Sequence, residues 1–564
     1  MNSVIESQLK KFSEQNDLLG YERDELFEIF SIFCVEKGIL NSEAEPLNVH
    51  LEGSEFGIDG VCIMVNGEQI SSSSELTEID NIDHVEFRFY QAKTSEKFAL
   101  GDILKFFEAV YNFFDHDFES TSDVLMELHD TKEEIFSNSS DMENNPKISL
   151  YYISTGNYKE PDPIKLAIES CQDRLEDKSL FDEISVEMMD AKLVQSAYRN
   201  ANQGIKNTIS IAKVENLPSV SEIEQSYIGY VEASEVVKLI TTKETNNINK
   251  LVFFENIRDF NPDSEINKKI SESLRRGEGD FFVFRNNGIT AVAKKVKRTG
   301  DRFTVSDYQI VNGCQTSHVL FENKEYLKDV FVPIKLIEAK SDDIISSIII
   351  GTNSQNPVQK EQFWALTPFM KNLEEYCSSL SDDERLFIER REGQYRGQNV
   401  EKSRIIKSKP LFKAISSVVI FVGNRAGRFY AAVFKEYSQE LFKDEHEVSI
   451  YHAAAFIHYR LEYLWRRNLI DRKYKMFRYF LLTGLGRVLS GNKKLLEMPP
   501  KKAKNIALKM IDVAKKDDDL IKIINKMTKA IDKETKSLSK KENLRDHIKT
   551  DAVSKRILEA VSSV

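Results

Sequence analysis

The period of the apolar residues changes twice along this chain, and that succession limits its fold more than any single motif does. Up to about residue 200, short apolar runs of strand character alternate with segments whose apolar residues recur at helical spacing. Tyr21 to Lys37 predicts a helix, because Leu26, Phe27, Ile29, Phe30, Phe33 and Val35 leave little polar surface. Extended segments are expected around Asn48 to Leu51, from Gly60 to Val65 and from His84 to Lys93, the last with Val85, Phe87, Phe89 and Gln91 on one face. Asn66-Gly67 and the polar stretch Ser71 to Ser74 read as an elongated hairpin connection. Leu100 to Phe114 and Ile164 to Leu175 read as helices, and Ile148 to Ile153 and Ile184 to Met189 as strands. Such an order marks an α/β domain.

From about Ser221 the texture shifts. Strands are expected at Leu251 to Phe254, Phe281 to Phe284, Ile289 to Ala293 and Val332 to Ile337, separated by Asn-rich turns, in a second α/β unit reaching about Asn424. After Tyr437 the period is helical, as in Leu520, Ile524, Met527 and Ile531. The 564 residues exceed the size of one domain. The fold class expected is a multidomain α/β protein with domains at 1–205, 220–425 and 435–564, the last all-helical. The longest apolar stretches, such as Ala414 to Val422, are about half of the ~20 residues a bilayer requires, and no leader is evident, so a cytoplasmic protein without membrane contact is expected. Cys34, Cys62, Cys171, Cys314 and Cys377 form no C-x-x-C pair and read as reduced, mostly buried thiols.

The net charge of −12 conceals an asymmetry. From Arg466 onward, 26 Lys and Arg stand against 12 Asp and Glu, a balance of +14 that leaves −26 on the preceding residues. The basic block suits contact with nucleic acid, and it equally suits Lys-rich helices docking on an acidic body.

No G-x-x-x-x-G-K-[ST], H-E-x-x-H or G-x-S-x-G occurs, which removes the main support for phosphate-loop, zincin and α/β-hydrolase chemistry. Gly277-Glu278-Gly279 and Gly484-Leu485-Gly486 read as turns, and the nine histidines, unclustered, as structural. One constellation remains. Asp59 lies in Gly57-Ile58-Asp59-Gly60 at a strand start, where flanking glycines are expected to leave its carboxylate open. The next long strand ends in Gln91-Ala92-Lys93, whose first and third side chains share a face. An acid, an amide oxygen and a lysine on neighbouring strands can hold Mg²⁺ (or Mn²⁺) beside a phosphodiester, with Asp59 and Gln91 as metal ligands and Lys93 orienting water or neutralising the transition state. Glu28, the only charged residue between Leu26 and Val35, needs a partner or a task, and is a third candidate ligand.

Glu28, Gly57-Ile58-Asp59-Gly60 and Gln91-Ala92-Lys93 resemble the PD-(D/E)xK nuclease superfamily in its restriction-endonuclease-like, Mrr-like branch, over about residues 20 to 200, with Gln91 where an acid is usual. Asn256-Ile257-Arg258, Asn286-Asn287-Gly288-Ile289-Thr290, Val311-Asn312-Gly313-Cys314-Gln315-Thr316 and Thr352-Asn353-Ser354-Gln355-Asn356-Pro357-Val358 resemble the AIPR family, named for abortive infection and phage resistance, over about 220 to 400. The resemblance implies an antiphage metal-dependent nuclease joined to an AIPR core. Its partners would be nucleic acid, DNA before RNA, with a homo-oligomer and a phage-derived or protein trigger in view. The alternative is an inactive descendant that binds nucleic acid without cutting it. Asn256, Arg258, Asn286, Asn287, Asn312, Gln315, Thr316, Asn353, Gln355 and Asn356 are candidates for binding nucleic acid or a nucleotide-like signal. Arg390 and Arg391, with Arg396 close by, suit either phosphate contact or surface ion pairs.

Overall fold

The computed structural model describes residues 2–40, 42, 44–55, 57–76, 79, 82, 84–120, 122–138, 142, 144–202, 205–241, 248, 252–253, 265–339, 341, 344–345, 347–348, 351, 367–390, 394–395, 398–536 and 551–564. The protein is a multidomain mixed α/β chain forming two compact units, one from Met1–Ile32, Ala44–Val194 and Trp364–Val564, the other from Phe33–Glu43 and Gln195–Phe363. All five cysteines are buried and free. Among the described residues no helix is long and apolar enough to cross a membrane.

The first unit carries a six-stranded sheet: β1 (His50–Glu55), β2 (Ile58–Val65), β3 (Glu68–Ile70), β4 (Val85–Lys93), β5 (Lys147–Ser154) and β6 (Glu183–Met189). Strand order is β1-β2-β4-β5-β6, with β3 also beside β2. β2 runs antiparallel to β1, β3 and β4, while β4, β5 and β6 are mutually parallel. Parallel neighbours need crossovers, supplied by helices Leu100–Phe113 and Asp123–Ser137 between β4 and β5 and by Asp162–Asp177 between β5 and β6. Every residue of β2 is buried, which is why it reads as a near-continuous apolar run. Phe87 and Phe89 of β4 meet Phe114 and Phe113 edge-on at 5.3 Å, fastening the first crossover helix to the sheet.

The rest of this unit is mainly helical, with one short parallel pair of strands, Phe387–Glu389 and Ile405–Lys407, around a separate core that includes Trp465, Leu481, Leu485, Met527 and Ile557. Gly484 and Gly486, expected in a turn, lie inside helix Arg478–Ser490. They permit close approach instead: a Cβ at Gly486 would stand 2.4 Å from the Val418 carbonyl, and one at Gly484 3.0 Å from that of Val561. Several cations of the basic block pair with acids of the N-terminal segment. Asp17 meets Arg467 at 2.5 Å and Arg466 at 3.7 Å, Glu52 meets Lys475 at 3.3 Å and Arg472 at 3.6 Å, and Arg472 lies 3.7 Å from the Tyr21 ring centre. These pairs are what docking of Lys- and Arg-rich helices on an acidic body requires.

The second unit holds β7 (Lys206–Ser210), β8 (Lys213–Asn216), β9 (Gln225–Glu232), β10 (Ile289–Thr299), β11 (Arg302–Asn312) and β12 (Phe331–Glu338), in the order β7-β11-β10-β12-β9-β8. Phe281 to Phe284, expected as a strand, is a short helical turn. A strand needs a free edge, and β10 and β12 are already flanked on both sides. Of the strand expected at Leu251 to Phe254, only Val252 and Phe253 are described; both are buried, and Phe253 bridges to Ile310.

Candidate active site

Gly60 is bare at a crowded point: a Cβ there would lie 2.8 Å from Ile32 Cδ1 and 3.2 Å from the Val49 carbonyl oxygen. Asp59, whose side chain lies on the opposite face of the strand, is 0% exposed, which corrects the expectation of an open carboxylate: Gln91 and the Ala92 N–H close over it. Lys93, at the end of β4, is half-buried.

The β2–β4 register sets Gly60 against Tyr90, and hence Asp59 against Gln91. Asp59 Oδ2 accepts hydrogen bonds from Gln91 Nε2 at 2.5 Å and from the Ala92 N–H at 2.7 Å. Its Oδ1 is buried without a hydrogen-bond partner. Burial pushes the Asp59 carboxyl up to about 6, and the nearby charge of Glu28 adds to the rise; the Ala92 hydrogen bond, Lys93 and His50 oppose it.

Glu28 comes from helix Arg23–Gly38 and has the partner its isolation called for: its Oε2 lies 2.8 Å from His50 Nε2 on β1. His50 is almost wholly buried.

Gln91 turns its nitrogen to Asp59 and its oxygen elsewhere. Oε1 lies 3.2 Å from where a Cβ of Gly57 would stand, and Lys105 Cγ and Cδ lie 3.5 and 3.6 Å from the same point. Gly57 has a φ of +88°, a conformation costly to any residue with a side chain. Tyr152 on β5 pairs with Gln91 in parallel register, so both project from one face of the sheet. The Tyr152 hydroxyl is buried with no partner, and burial, then Asp102 and Asp59, raises it above the ordinary phenol range.

This geometry tests the fit of a cation. Among the described residues no three His, Cys, Asp or Glu side chains gather as a metal cage. What the site offers is two mutually repelling acids, one with an unpartnered buried oxygen, beside an amide and a hydroxyl. Carboxylate and hydroxyl oxygens are the donor type a hard ion such as Mg²⁺ or Mn²⁺ takes, while Gln91 turns its N–H inward and offers Asp59's side of the site no oxygen. The structure thus brings Glu28, Asp59, Gln91 and Lys93 to one end of β2 and β4. It adds His50, Tyr152 and Lys105, which are distant in sequence and belong to no short motif.

In the second unit, Asn286 and Thr316 meet: Asn286 Nδ2 donates to Thr316 Oγ1 at 3.0 Å, while Asn286 Oδ1 accepts the Gly288 N–H at 2.8 Å. A Cβ on Gly313 would come within 2.7 Å of the Gly288 carbonyl oxygen, so these two Asn-Gly turns are stacked on each other. Asn312 ends β11, and Gln315 and Thr316 lie in the first turn of helix Cys314–Glu322; Asn287 and Gln315 are exposed. Asn256, Arg258, Asn353, Gln355, Asn356, Arg391 and Arg396 lie outside the described residues. Arg390, in the first unit, turns inward, its Nε 2.6 Å from Glu374 Oε2 and its side chain 7% exposed, an ion pair that is buried and not on the surface.

No curated protein and no solved structure matches the chain. The family model described as AIPR protein matches residues 253–559, more than half of the sequence. That segment contains the stacked turns of Asn286 and Thr316, while Glu28, Asp59, Gln91 and Lys93 precede it. The chain therefore belongs to the AIPR family, whose name marks abortive infection and phage resistance.

Proposed function

We propose that this AIPR-family protein is a phage-defence nuclease whose N-terminal α/β domain, of the PD-(D/E)xK type, hydrolyses phosphodiester bonds of nucleic acid, DNA in preference to RNA. The observation that carries the reading is Asp59 Oδ1, a buried carboxylate oxygen with no partner, held beside a second acid and near a lysine. Burying two like charges together is costly, and such costs are commonly tolerated where a cation is to be received. Asp59 Oδ1 and Glu28 would hold Mg²⁺ or Mn²⁺, with water completing the shell. The bound ion would polarise the phosphate and acidify a water.

The chain's own groups then have separate tasks. Gln91 and the Ala92 N–H fix Asp59 through Oδ2, so that Oδ1 faces the site. His50 holds Glu28. Lys93 neutralises charge building on the phosphate or orients the attacking water. The stacked Asn-Gly turns supply uncharged donors and acceptors for nucleic acid or a nucleotide-like signal. A homo-oligomer and a phage-derived or protein trigger complete the proposal.

One observation favours the non-cleaving alternative: Gln91 presents N–H rather than oxygen to Asp59, so the usual second acidic ligand is replaced by a group that already satisfies the first. Incubating the purified protein with supercoiled plasmid, single-stranded DNA and RNA decides between them. Cleavage that needs Mg²⁺ or Mn²⁺ and stops with EDTA supports the nuclease; binding without cleavage under any metal establishes the alternative.

A further inference from the structure

Lys105 is the only basic residue of helix Leu100–Phe113. Its Cγ and Cδ lie 3.5 and 3.6 Å from the point that a Gly57 side chain would occupy, and Gln91 Oε1 lies 3.2 Å from that point. Three separate elements thus converge on one missing side chain: the turn before β2, the end of β4 and the first crossover helix. The Lys105 stem and the Gln91 amide both lie close to the Gly57 turn beside Asp59, and Lys105 itself is exposed.

Its charge is not consumed locally. Glu108, one turn further along the helix, is taken by Arg174 at 2.7 Å. Among the described residues Lys105 forms no ion pair or hydrogen bond, and neither does Lys93. The site therefore combines buried Asp59 and half-buried Glu28 with two nearby lysines that have no ion-pair or hydrogen-bond partner among the described residues. A lone surface lysine would be unremarkable; a lysine whose stem packs within van der Waals reach of a positive-φ glycine next to a candidate site residue is positioned.

We propose that Lys105 binds a backbone phosphate of the DNA strand on which Asp59 and Lys93 act, a second phosphate contact beside the one at the scissile bond. The inference rests on the nuclease reading of the same site. It makes Lys105 a residue of substrate affinity, separate in role from Lys93.

Lys105 is exposed on a helix, so Lys105→Ala is expected to fold and melt like the parent. The test is equilibrium binding of a fluorescein-labelled DNA oligonucleotide, single-stranded and as its duplex, in EDTA over a salt series. A phosphate contact by one lysine predicts several-fold weaker binding for Lys105→Ala and a log K against log salt slope shallower by about 0.7 on the single strand or 0.9 on the duplex. Lys105→Arg should keep the parental slope. Equal affinity and slope in parent and Lys105→Ala overturn the proposal while leaving the nuclease reading intact. Weaker binding at an unchanged slope also overturns it, because the stem rather than the charge would then be acting. If the parent binds neither probe, this proposal and the DNA-cleaving reading fall together; if the parent binds but never cleaves, the Lys105 contact is still decided by the slope.

Discussion

Replacing Asp59 by Asn should make the metal-free protein more stable while removing the group its proposed activity depends on. The parent carboxyl has a folded-state value of about 6 against an ordinary 3.8, a gap of about two pH units. At about 1.4 kcal/mol per unit, the ionised side chain costs the folded state about 3 kcal/mol once both states are deprotonated. An asparagine carbonyl can accept the same two N–H groups of Gln91 and Ala92, and its amide then takes the place of unpartnered Oδ1. That amide is left unmatched at a cost of about 1 kcal/mol, so the net gain is about 2 kcal/mol. Because the folded-state value is raised, the penalty is absent below about 3.8, grows as pH rises from there to about 6 and is complete above it. The assay is denaturant unfolding of parent and Asp59→Asn in EDTA at pH 8 and pH 5. The variant should be more stable at pH 8, with most but not all of its advantage lost at pH 5. A variant less stable than the parent at pH 8 would refute the reasoning, since the carboxylate would then be a satisfied structural group and not one awaiting a cation.

Other consequences follow from the same geometry. Gly57→Ala forces a side chain into a φ of +88° and to 3.2 Å from Gln91 Oε1, so it should lose about 1–2 kcal/mol in unfolding experiments and loosen Mg²⁺ binding in calorimetry. Tyr152→Phe removes a buried hydroxyl without a partner and should leave metal-free stability equal or up to about 1 kcal/mol higher by the same measurement; a loss would reveal a hydrogen bond that the hydroxyl makes. His458, held down to about 4 mainly by burial, stays neutral in the folded state while the unfolded chain takes up a proton below about 6.5. Stability should therefore fall as pH drops from 6.5 towards 4, by up to about 3 kcal/mol from this residue, with no contribution above 6.5; unfolding at pH 7 and 4.5 should show a shallower fall in His458→Gln.

The site's strands were legible because β2 and β4 are apolar, wholly or nearly buried, and bounded by glycine or by a polar end. β3 was not, because Glu68 and Gln69 are polar and only the turn at Asn66-Gly67 brings them back against Met64 and Val65. Helix Asp123–Ser137 escaped detection for a related reason: its buried face includes Thr131 and Lys132 as well as Leu125, Leu128 and Ile135. The Phe281 to Phe284 segment has strand-like residues, but the strands next to it, β10 and β12, are already flanked on both sides, and that is a property of the whole fold. Asp59, Gln91 and Lys93 could be grouped from sequence because adjacent strands have a fixed side-chain period. His50, Lys105 and Tyr152 could not, since what places them is the crossing of a helix and a third strand over that pair.

Single-turnover cleavage of a labelled DNA oligonucleotide, with parent and Asp59→Asn compared side by side at matched Mg²⁺, tests the central claim most directly. The variant is expected to be at least as stable as the parent, so lost activity cannot be ascribed to unfolding. The account predicts metal-dependent cleavage by the parent and a rate lower by about 100-fold or more in Asp59→Asn, the typical effect of removing one electrostatic group from such a site. Equal cleavage by the two proteins would contradict it.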